Sequence, residues 1–427
     1  MPTLRERAAL LLWSAVLRLA APALLARWWW RGRQEPGYRV NLLERLGCYR
    51  RSTPAAGWVW LHAVSLGETR AAQPLIEALR RREPGLRLLL TQTTATGREA
   101  AQTLLRDGDA LAWLPIDTPG AVARFYRHWQ PRLGLLMETE VWPNLLASPL
   151  APPIHLVNAR LSDKSLRQGR RFAALLGGAA RRLAGAQAQS PADARRLVEM
   201  GVSHVEVAGN LKFDAEPAAS LVARGRSWRH ASTPVLLAAI TREGEEEALL
   251  AAWHELPQPR PRLLVVPRHP QRFEEVAQLL GAPARRSQWG DGGPDAQAQT
   301  QSLWLGDSMR EMPLYYGLAD VALLGGSFGP YGAHNLIEAA ACGCPLVVGP
   351  STFNFAQAAE LSIAAGAARQ VASAREALSL AQQLLQDKAA LHTMREAALA
   401  FAAAHRGAAD RMAERVLGPV PHQSSLR

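Results

Sequence analysis

Cysteine is scarce in this chain of 427 residues, which contains only Cys48, Cys342 and Cys344. Three cysteines do not form a disulfide framework, and their small number favours a reducing compartment. Because Cys and His nowhere take the spacing of zinc ligands, a structural zinc site is also disfavoured. Lysine is equally scarce, since only three of the 49 basic residues are lysine and arginine carries the rest of the positive charge.

The sequence also lacks the composition of a disordered chain and any repeat of 20–50 residues. Apolar residues make up 48% and charged residues 20%, and the length allows two or three globular domains. The net charge is +12, of which residues 1–50 contribute half through nine Arg and three Glu. This basic excess lies beside an apolar run rather than in a nucleic-acid-binding module, so we expect no nucleic-acid partner.

An apolar run extends from Ala8 to Ala26 and is followed by the segment RWWWRGR at residues 27–33. Its length approaches the ~20 residues that a helix needs to cross a bilayer. A belt of tryptophan and arginine is typical of a membrane interface, whereas a secretory signal needs a small-residue cleavage site. We predict that residues 1–35 are an uncleaved anchor that spans the membrane or lies in its interface. The alternatives are an amphipathic core helix and a signal peptide.

After the anchor, short apolar runs alternate with longer helical patterns, which predicts βαβ units and parallel sheets. The predicted strands are residues 58–62, 86–92, 133–137 and 154–157 in one half, and 235–240, 262–266, 321–324 and 345–348 in the other. A polar, proline-containing segment at 214–234 separates the halves. We therefore predict an α/β protein with two Rossmann-like domains that face a cleft. Their bounds are 36–215 and 216–418, residues 285–301 form an exposed loop, and residues 419–427 form a tail.

Ligands of open α/β sheets bind at the carboxyl ends of the strands, and polar residues follow the first strand at that point. Ser65, Gly67 and Glu68 lie between this strand and a helical pattern. Gly67 is interpreted as permitting a tight turn. Glu68 opens the helix, where the helix dipole favours an ionised carboxylate suited to a general base. The alternative is an ordinary capping glutamate.

Three further polar segments follow strands of the first half. Glu138 and Glu140 come after strand 133–137, and Arg160 comes after strand 154–157. The two carboxylates could hold an acceptor hydroxyl or orient a basic loop, and the alternative is that they are ordinary residues at a helix start. The alternative for the segment with Arg160 is a solvated loop. Lys212, a rare lysine at the end of this half, could bind an anionic donor.

In the second half, Arg268 and His269 follow strand 262–266, and the planar guanidinium of Arg268 suits a carboxylate or phosphate. The alternative is a surface arginine beside a turn. Strand 321–324 leads into a loop that contains Gly325, Gly326, Ser327, Gly332, His334 and Asn335. Such glycines allow close backbone approach, and free N–H groups at the following helix start face an anion. Glu338, in that helix, could accept hydrogen bonds from ribose hydroxyls. We predict a nucleotide site here.

In their order, these segments resemble the 3-deoxy-D-manno-octulosonic acid (Kdo) transferases of lipopolysaccharide synthesis. The matching segments are HAVSLGE at 62–68, ETEVWPN at 138–144, NARLS at 158–162, GNLKFD at 209–214, PRHP at 267–270, and the glycine-rich loop with its helix at 325–338. The match covers nearly the whole chain. Two features depart from the family pattern: Ile240 stands where a small polar residue is expected, and Ala339–Ala341 replace an expected proline.

The resemblance implies a GT-B glycosyltransferase fold and inverting transfer of Kdo from CMP-Kdo to the lipid A precursor, lipid IVA. It implies that Glu68 is the general base and that neither a metal ion nor a cofactor takes part. The expected partners are CMP-Kdo, lipid IVA and inner-membrane lipids, and the expected location is the cytoplasmic face of the inner membrane. One rival is a GT-B transferase that uses a UDP-sugar on another lipid. A second rival is a membrane-anchored binding protein without catalytic activity.

Overall fold

The computed structural model describes residues 3–49, 56–230 and 233–418. Internal contacts divide these residues into two units. The first unit contains the described residues up to Asp214 and those from Gly407 onward, and the second contains those within Ala215–Arg406. The predicted tail at 419–427 lies outside the described residues.

A seven-stranded parallel sheet forms the centre of the first unit. Its strands are β1 (Trp58–His62), β2 (Leu88–Gln92), β3 (Ala110–Trp113), β4 (Pro131–Met137), β5 (Ile154–Ala159), β6 (Gly185–Ala188) and β7 (Val205–Val207). The strand order is β3-β2-β1-β4-β5-β6-β7, so β1 and β4 are neighbours at the point where the order reverses. Every residue of β1 is buried, which agrees with the continuous apolar run that predicted it.

A second seven-stranded parallel sheet forms the centre of the second unit. Its strands are β8 (Val235–Thr241), β9 (Arg262–Pro267), β10 (Ala284–Arg285), β11 (Leu303–Leu305), β12 (Val321–Leu324), β13 (Leu346–Val348) and β14 (Ala368–Gln370). Its order is β10-β11-β9-β8-β12-β13-β14, with β8 and β12 at the reversal. Two parallel sheets of this kind confirm the predicted α/β class with two Rossmann-like domains.

Helices pack against both sheets. Those of the first unit are α1 (Leu4–Arg31), α2 (Leu66–Arg82), α3 (Ala95–Gln102), α4 (Pro119–Trp129), α5 (Pro143–Ala147), α6 (Asp163–Arg171), α7 (Ala173–Ala180) and α8 (Pro191–Met200). Those of the second unit are α9 (Ala219–Ser227), α10 (Glu245–Glu255), α11 (Phe273–Leu279), α12 (Ala296–Thr300), α13 (Met312–Leu318), α14 (Leu336–Ala341), α15 (Ala356–Ala364), α16 (Ala374–Gln386) and α17 (Lys388–Ala404). The last helix, α18 (Ala408–Leu417), returns to the first unit.

The return of α18 differs from the sequence division, which assigned residues 216–418 to the second domain. The carboxylate of Asp214 accepts hydrogen bonds from the backbone N–H groups of Gly407 and Ala409, which lie at the helix start. Met412 is fully buried in the same apolar cluster as the inner face of α2. A helix cap and apolar burial together therefore hold α18 on the first unit.

Helix α1 is 28 residues long, and most of its residues are exposed or half-buried, with Ser14 as its single buried residue. It is the one helix of the described residues that is long and apolar enough to cross a membrane, with a mean hydropathy of 1.9 over an 18-residue stretch, and by itself this is weak evidence of a span. Trp13 Nε1 donates to Asp117 Oδ2 over 2.8 Å, and Ser14 Oγ donates to Asn144 Oδ1 over 2.9 Å. These two bonds fix the middle of α1 to the first unit.

The expectation of an exposed loop at 285–301 is wrong for part of this segment. Helix α12 and a short 3₁₀ turn at Arg286–Gln288 lie within it, and Asp295 caps α12 through the backbone N–H of Ala298. Trp289 is buried against Trp304 with ring centroids 4.8 Å apart. This aromatic contact orders a segment whose composition is that of a loop.

Candidate active site

The candidate residues of the first unit lie where the sheet order reverses. Residues 63–65 connect β1 to α2, which carries Glu68 in its first turn, and Glu138 follows β4 directly. Because β1 and β4 are hydrogen-bonded neighbours, their carboxyl ends lie side by side. This is the position at which α/β sheets bind ligands.

Glu68 takes part in the start of α2 with both of its carboxylate oxygens. Its Oε2 accepts the backbone N–H of Val64 over 2.8 Å, and its Oε1 accepts the hydroxyl of Ser65 over 3.2 Å. Ser65 is the N-cap, since its Oγ accepts the backbone N–H of Glu68. The arrangement is close to a capping box. The capping alternative for Glu68 thus has a physical basis, and Ser65 supports the same helix start.

Burial opposes the ionised form of Glu68 that the helix dipole is expected to favour. Burial raises the pKa of Glu68, and the charge of Glu138 raises it further, while the hydrogen bonds from Val64 and Ser65 act against them. A raised pKa makes the carboxylate a stronger base once it is ionised. The explanation given for Gly67 fails, because Gly67 lies inside α2, and a Cβ there would meet only Ser65 Oγ at 3.9 Å.

Two more carboxylates lie beside Glu68. Glu138 adopts a left-handed backbone conformation with φ of 56°, which is uncommon for glutamate, and its N–H donates to Val157 O over 3.0 Å. Burial, together with the charges of Glu68 and Glu138, raises the pKa of Glu140 to about 7. The structure therefore brings the three predicted carboxylates into one electrostatic group.

Lys212 and Arg160 belong to the same group. Burial is the largest effect on Lys212 and lowers its pKa, the positive charge of Arg160 lowers it further, and Glu138 opposes both. Asn158, at the end of β5, is buried with φ of 51° and accepts the N–H of Leu211 at Oδ1 over 3.1 Å. This bond positions the turn that carries Lys212. Lys212, predicted to bind the donor, therefore lies in the first unit beside residues predicted for the acceptor side.

The second candidate site lies at the reversal of the second sheet. Gly325 and Gly326 follow β12, and Ile240 lies near the end of the neighbouring strand β8. A Cβ at Gly325 would approach Ile240 O to 2.4 Å, so the close contact of the two backbones requires glycine. Ile240 itself has φ of 59°, a strained conformation for a β-branched residue. The departure from the family pattern noted at this position thus coincides with backbone strain.

Three backbone N–H groups of the glycine-rich loop, which precedes the helix start predicted to face an anion, are bonded within the protein. Gly326 N donates to Glu245 Oε2 over 2.7 Å, and Phe328 N donates to Glu245 Oε1 over 3.0 Å. Gly332, with φ of 79°, donates its N–H to Ser351 Oγ over 3.1 Å. These groups are already satisfied within the protein. These three N–H groups are therefore not free to bind a ligand, which leaves the start of α14 and the neighbouring side chains for that role.

Cationic side chains gather beside the loop. Burial lowers the pKa of His334 to about 4, and the charges of Arg268, Arg242 and His269 act in the same direction. His334 Nε2 is buried without a hydrogen-bond partner among the described residues. The Arg242 guanidinium lies 4.5 Å from the ring centre of Tyr331. A neutral imidazole and two arginines of this kind suit an anionic ligand with hydrogen-bonding groups.

The remaining predicted donor residues divide into two kinds. The Ser327 side chain is fully buried, and its Oγ accepts Gly349 N over 2.8 Å and donates to Leu324 O, so it holds β12 and β13 together. Asn335 is the N-cap of α14, since its Oδ1 accepts Ile337 N over 3.1 Å. Burial raises the pKa of Glu338, whose carboxylate accepts no hydrogen bond from the described residues. Glu338 thus retains the capacity to bind hydroxyl groups.

Sequence reasoning missed Arg242 and Glu245 as site residues. Both follow β8 directly in the segment TREGEEE at 241–247, where three adjacent carboxylates resemble an ordinary helix start. The signal that could have identified them is their place after a central strand of the sheet. Among the described residues, no group of three His, Cys, Asp or Glu side chains is arranged to hold a metal ion.

A family model and two relatives of known name match this chain. A family model described as 3-deoxy-D-manno-octulosonic-acid transferase (kdotransferase) matches residues 40–215. The 3-deoxy-D-manno-octulosonic acid transferase of Bordetella pertussis is 47% identical, with 93% of this chain and 96% of that protein covered. The protein of the same name from Haemophilus influenzae is 33% identical, with 89% of this chain and 91% of that protein covered.

Solved structures agree on the fold. The UDP-GlcNAc 2-epimerase from Neisseria meningitidis bound to UDP-GlcNAc has a TM-score of 0.54 at 14% identity, covering 84% of this chain and 99% of that one. At this identity the likeness concerns the fold, and it supports the predicted GT-B class. The relatives match nearly the whole length of the chain, and the ordered motifs and the two sheets agree with them. The chain therefore belongs to the family of 3-deoxy-D-manno-octulosonic acid transferases.

Proposed function

We propose that this protein transfers Kdo from CMP-Kdo to the lipid A precursor lipid IVA, at the cytoplasmic face of the inner membrane. The observation that carries the proposal is the family relationship over 93% of the chain, at 47% identity to the Bordetella pertussis transferase. Glu68 lies at the ligand-binding edge of the first sheet, and a cluster of cations lies at that of the second. These are the two sites that a sugar transfer needs.

In the proposed reaction, a hydroxyl oxygen of the acceptor attacks the anomeric carbon of Kdo. The bond between that carbon and the phosphate oxygen breaks, CMP leaves with the electron pair, and the hydroxyl proton passes to Glu68. One displacement of this kind inverts the anomeric centre. The raised pKa of Glu68 suits this step, since a carboxylate with a higher proton affinity is a stronger base.

On the donor side, the CMP phosphate gains negative charge as it leaves. Arg242 and Arg268 supply fixed positive charge, and His334 supplies a neutral donor or acceptor at its unpaired Nε2. Charge placed in advance where it develops is a large contribution to catalysis. Because these side chains can neutralise the leaving group, we expect the transfer itself to proceed without a metal ion. Glu338 is proposed to accept hydrogen bonds from the ribose hydroxyls.

Helix α1 supports the membrane part of the proposal. Its exposed leucines (Leu4, Leu11, Leu12 and Leu19) are between 67% and 84% exposed, an arrangement that suits contact with lipid. The last turns of α1 contain arginines beside Trp29 and Trp30, which are also exposed. An anchor of this kind keeps the enzyme where an acylated acceptor lies.

A two-by-two assay tests the proposal. The full-length protein in detergent receives either CMP-Kdo, generated in situ, or a UDP-sugar, together with either lipid IVA or an unrelated lipid acceptor. We expect nucleotide release only with CMP-Kdo and lipid IVA together. Release from a UDP-sugar instead would contradict the donor assignment, and equal release with every lipid would contradict the acceptor assignment.

A further inference from the structure

An apolar pocket of about 620 Å³ lies between α1 and the segment that carries the candidate carboxylates. Its apolar lining includes Leu12 and Val16 of α1, Val141 and Trp142 of the segment after β4, and Leu175 and Leu176 of α7. We name it the α1 pocket. The volume falls within the range of pockets that enclose small ligands. Its walls offer few polar partners, so they suit a hydrocarbon ligand.

The α1 pocket extends to the candidate active site. Thr139 and Glu140 line it, and they follow β4, whose carboxyl end lies beside the end of β1 that leads to Glu68. A ligand in the pocket therefore ends near the proposed general base. The α1 wall is also fixed, because Trp13 bonds to Asp117 beside this pocket. The fixed α1 wall and the nearby carboxylate of Glu68 distinguish this pocket from a groove on the surface without a function.

Positive charge lies at the same place. Arg171 lines the α1 pocket together with the exposed Phe172. Both also line a neighbouring apolar pocket of about 640 Å³, to which Arg160 contributes. An apolar interior beside arginine matches an acyl chain attached to a phosphorylated headgroup. A plain hydrocarbon or an uncharged sugar would use only one of these two features.

We propose that the α1 pocket binds an acyl chain of the acceptor lipid and thereby positions the acceptor hydroxyl near Glu68. This inference rests on the proposed function and adds to it the part of the acceptor that the enzyme recognises. The chain enters beside the exposed apolar face of α1, and Arg171 contacts the phosphorylated headgroup. The neighbouring pocket takes a second chain of the same lipid.

Two substitutions on one helix separate this role from membrane contact. Val16 lines the pocket and is 49% exposed, whereas Leu19 does not line it and is 84% exposed. Val16→Trp fills the pocket, and Leu19→Trp adds the same ring on the lipid-facing surface. Each methylene excluded from an apolar pocket costs about fourfold in affinity. We therefore expect Val16→Trp to raise KM for lipid IVA by roughly tenfold or more, and Leu19→Trp to leave it within about twofold.

The control acceptor is the same disaccharide bisphosphate with its acyl chains removed. Its KM should be equal for the wild-type protein and Val16→Trp, since no chain enters the pocket. Ala174→Leu, a smaller change on the opposite wall, gives a second test if Val16→Trp folds poorly. An equal rise in KM for both acceptors, or an equal effect of Leu19→Trp, would overturn the inference.

A binding readout keeps this inference distinct from the proposed reaction. Lipid IVA with a photoactivatable acyl chain should crosslink to the peptide that contains Leu175, and excess phospholipid should not prevent it. If excess phospholipid abolishes the crosslink, the pocket binds bulk membrane lipid, and the inference is contradicted. If the wild-type protein transfers Kdo to neither acceptor, the reaction is wrong, and the crosslink still decides what the pocket binds.

Discussion

Glu68 has two roles that one substitution can separate. As a cap it needs an oxygen that accepts the Val64 N–H, now 2.8 Å from Oε2. As a base it needs a carboxylate that takes up a proton. Glu68→Gln keeps the shape and one acceptor oxygen, and glutamine is compatible with a capping box. It cannot act as a base, so the variant should retain the helix start and lose the chemistry.

The magnitudes of the two roles differ enough to decide between them. Loss of one net hydrogen bond costs about 0.5–1.5 kcal/mol of stability. Loss of a positioned general base slows the chemical step by about 10²–10⁴-fold, which corresponds to about 3–5 kcal/mol in the barrier. Glu68→Gln and Glu68→Ala should therefore lose similar activity, whereas only Glu68→Ala should also lower the thermal midpoint.

The assay is kcat for CMP release at saturating lipid acceptor, together with the thermal midpoint of each variant. The matched control is Glu77→Gln on the same helix, since Glu77 is exposed and its carboxylate accepts a hydrogen bond from Gln73 Nε2 over 2.9 Å. The control should retain wild-type kcat. A Glu68→Gln variant with near-wild-type kcat would show that Glu68 is only a cap, and the base would have to be sought elsewhere.

Three other predictions concern charge, the glycine-rich loop and metal ions. Because the pKa of Glu140 is about 7 when folded and 4.5 when unfolded, the unfolded chain loses this proton first, and stability should fall as pH rises from 4.5 to 7. Glu140→Gln should remove up to about 3 kcal/mol of this pH-dependent loss in the free energy of unfolding. The variant's thermal midpoint should therefore differ less between pH 5 and pH 8 than that of the wild-type protein, and an equal difference would refute the assignment. Glu245→Ala leaves the N–H groups of Gly326 and Phe328 unpaired, so the dissociation constant for CMP should rise at least tenfold by calorimetry, whereas Glu247→Ala on the exposed face should not change it. Removal of divalent cations with EDTA should leave the transfer rate unchanged, and a loss restored by magnesium would contradict the proposed role of the arginines.

The central strands were predictable from the sequence because strands buried on both faces require continuous apolar runs. Strand β12 begins and ends where the sequence placed it, at 321 and 324. The same reasoning did not predict the edge strands. Strand β7 reads Val-Glu-Val with two of its three residues exposed, and β14 reads Ala-Arg-Gln, likewise with two exposed residues. Short, half-polar strands of this kind carry no distinctive pattern.

The site was predictable in its position and less so in its contacts. Residues after central strands mark the ligand edge, and this rule located both candidate sites. The rule does not say which groups are already satisfied. The bond from Gly326 N to Glu245 joins residues 81 positions apart, and the bond from Trp13 to Asp117 joins residues 104 positions apart. Contacts over such separations depend on the tertiary fold, which local patterns do not encode.

The most direct measurement is the mass of the lipid product. The purified full-length protein in detergent is incubated with lipid IVA and CMP-Kdo generated in situ, beside Glu68→Gln at equal concentration. The account predicts that the wild-type protein increases the lipid mass by whole Kdo units and that the variant yields at most a small fraction of this product in the same time. An unchanged lipid mass with folded, CMP-binding wild-type protein would contradict the account.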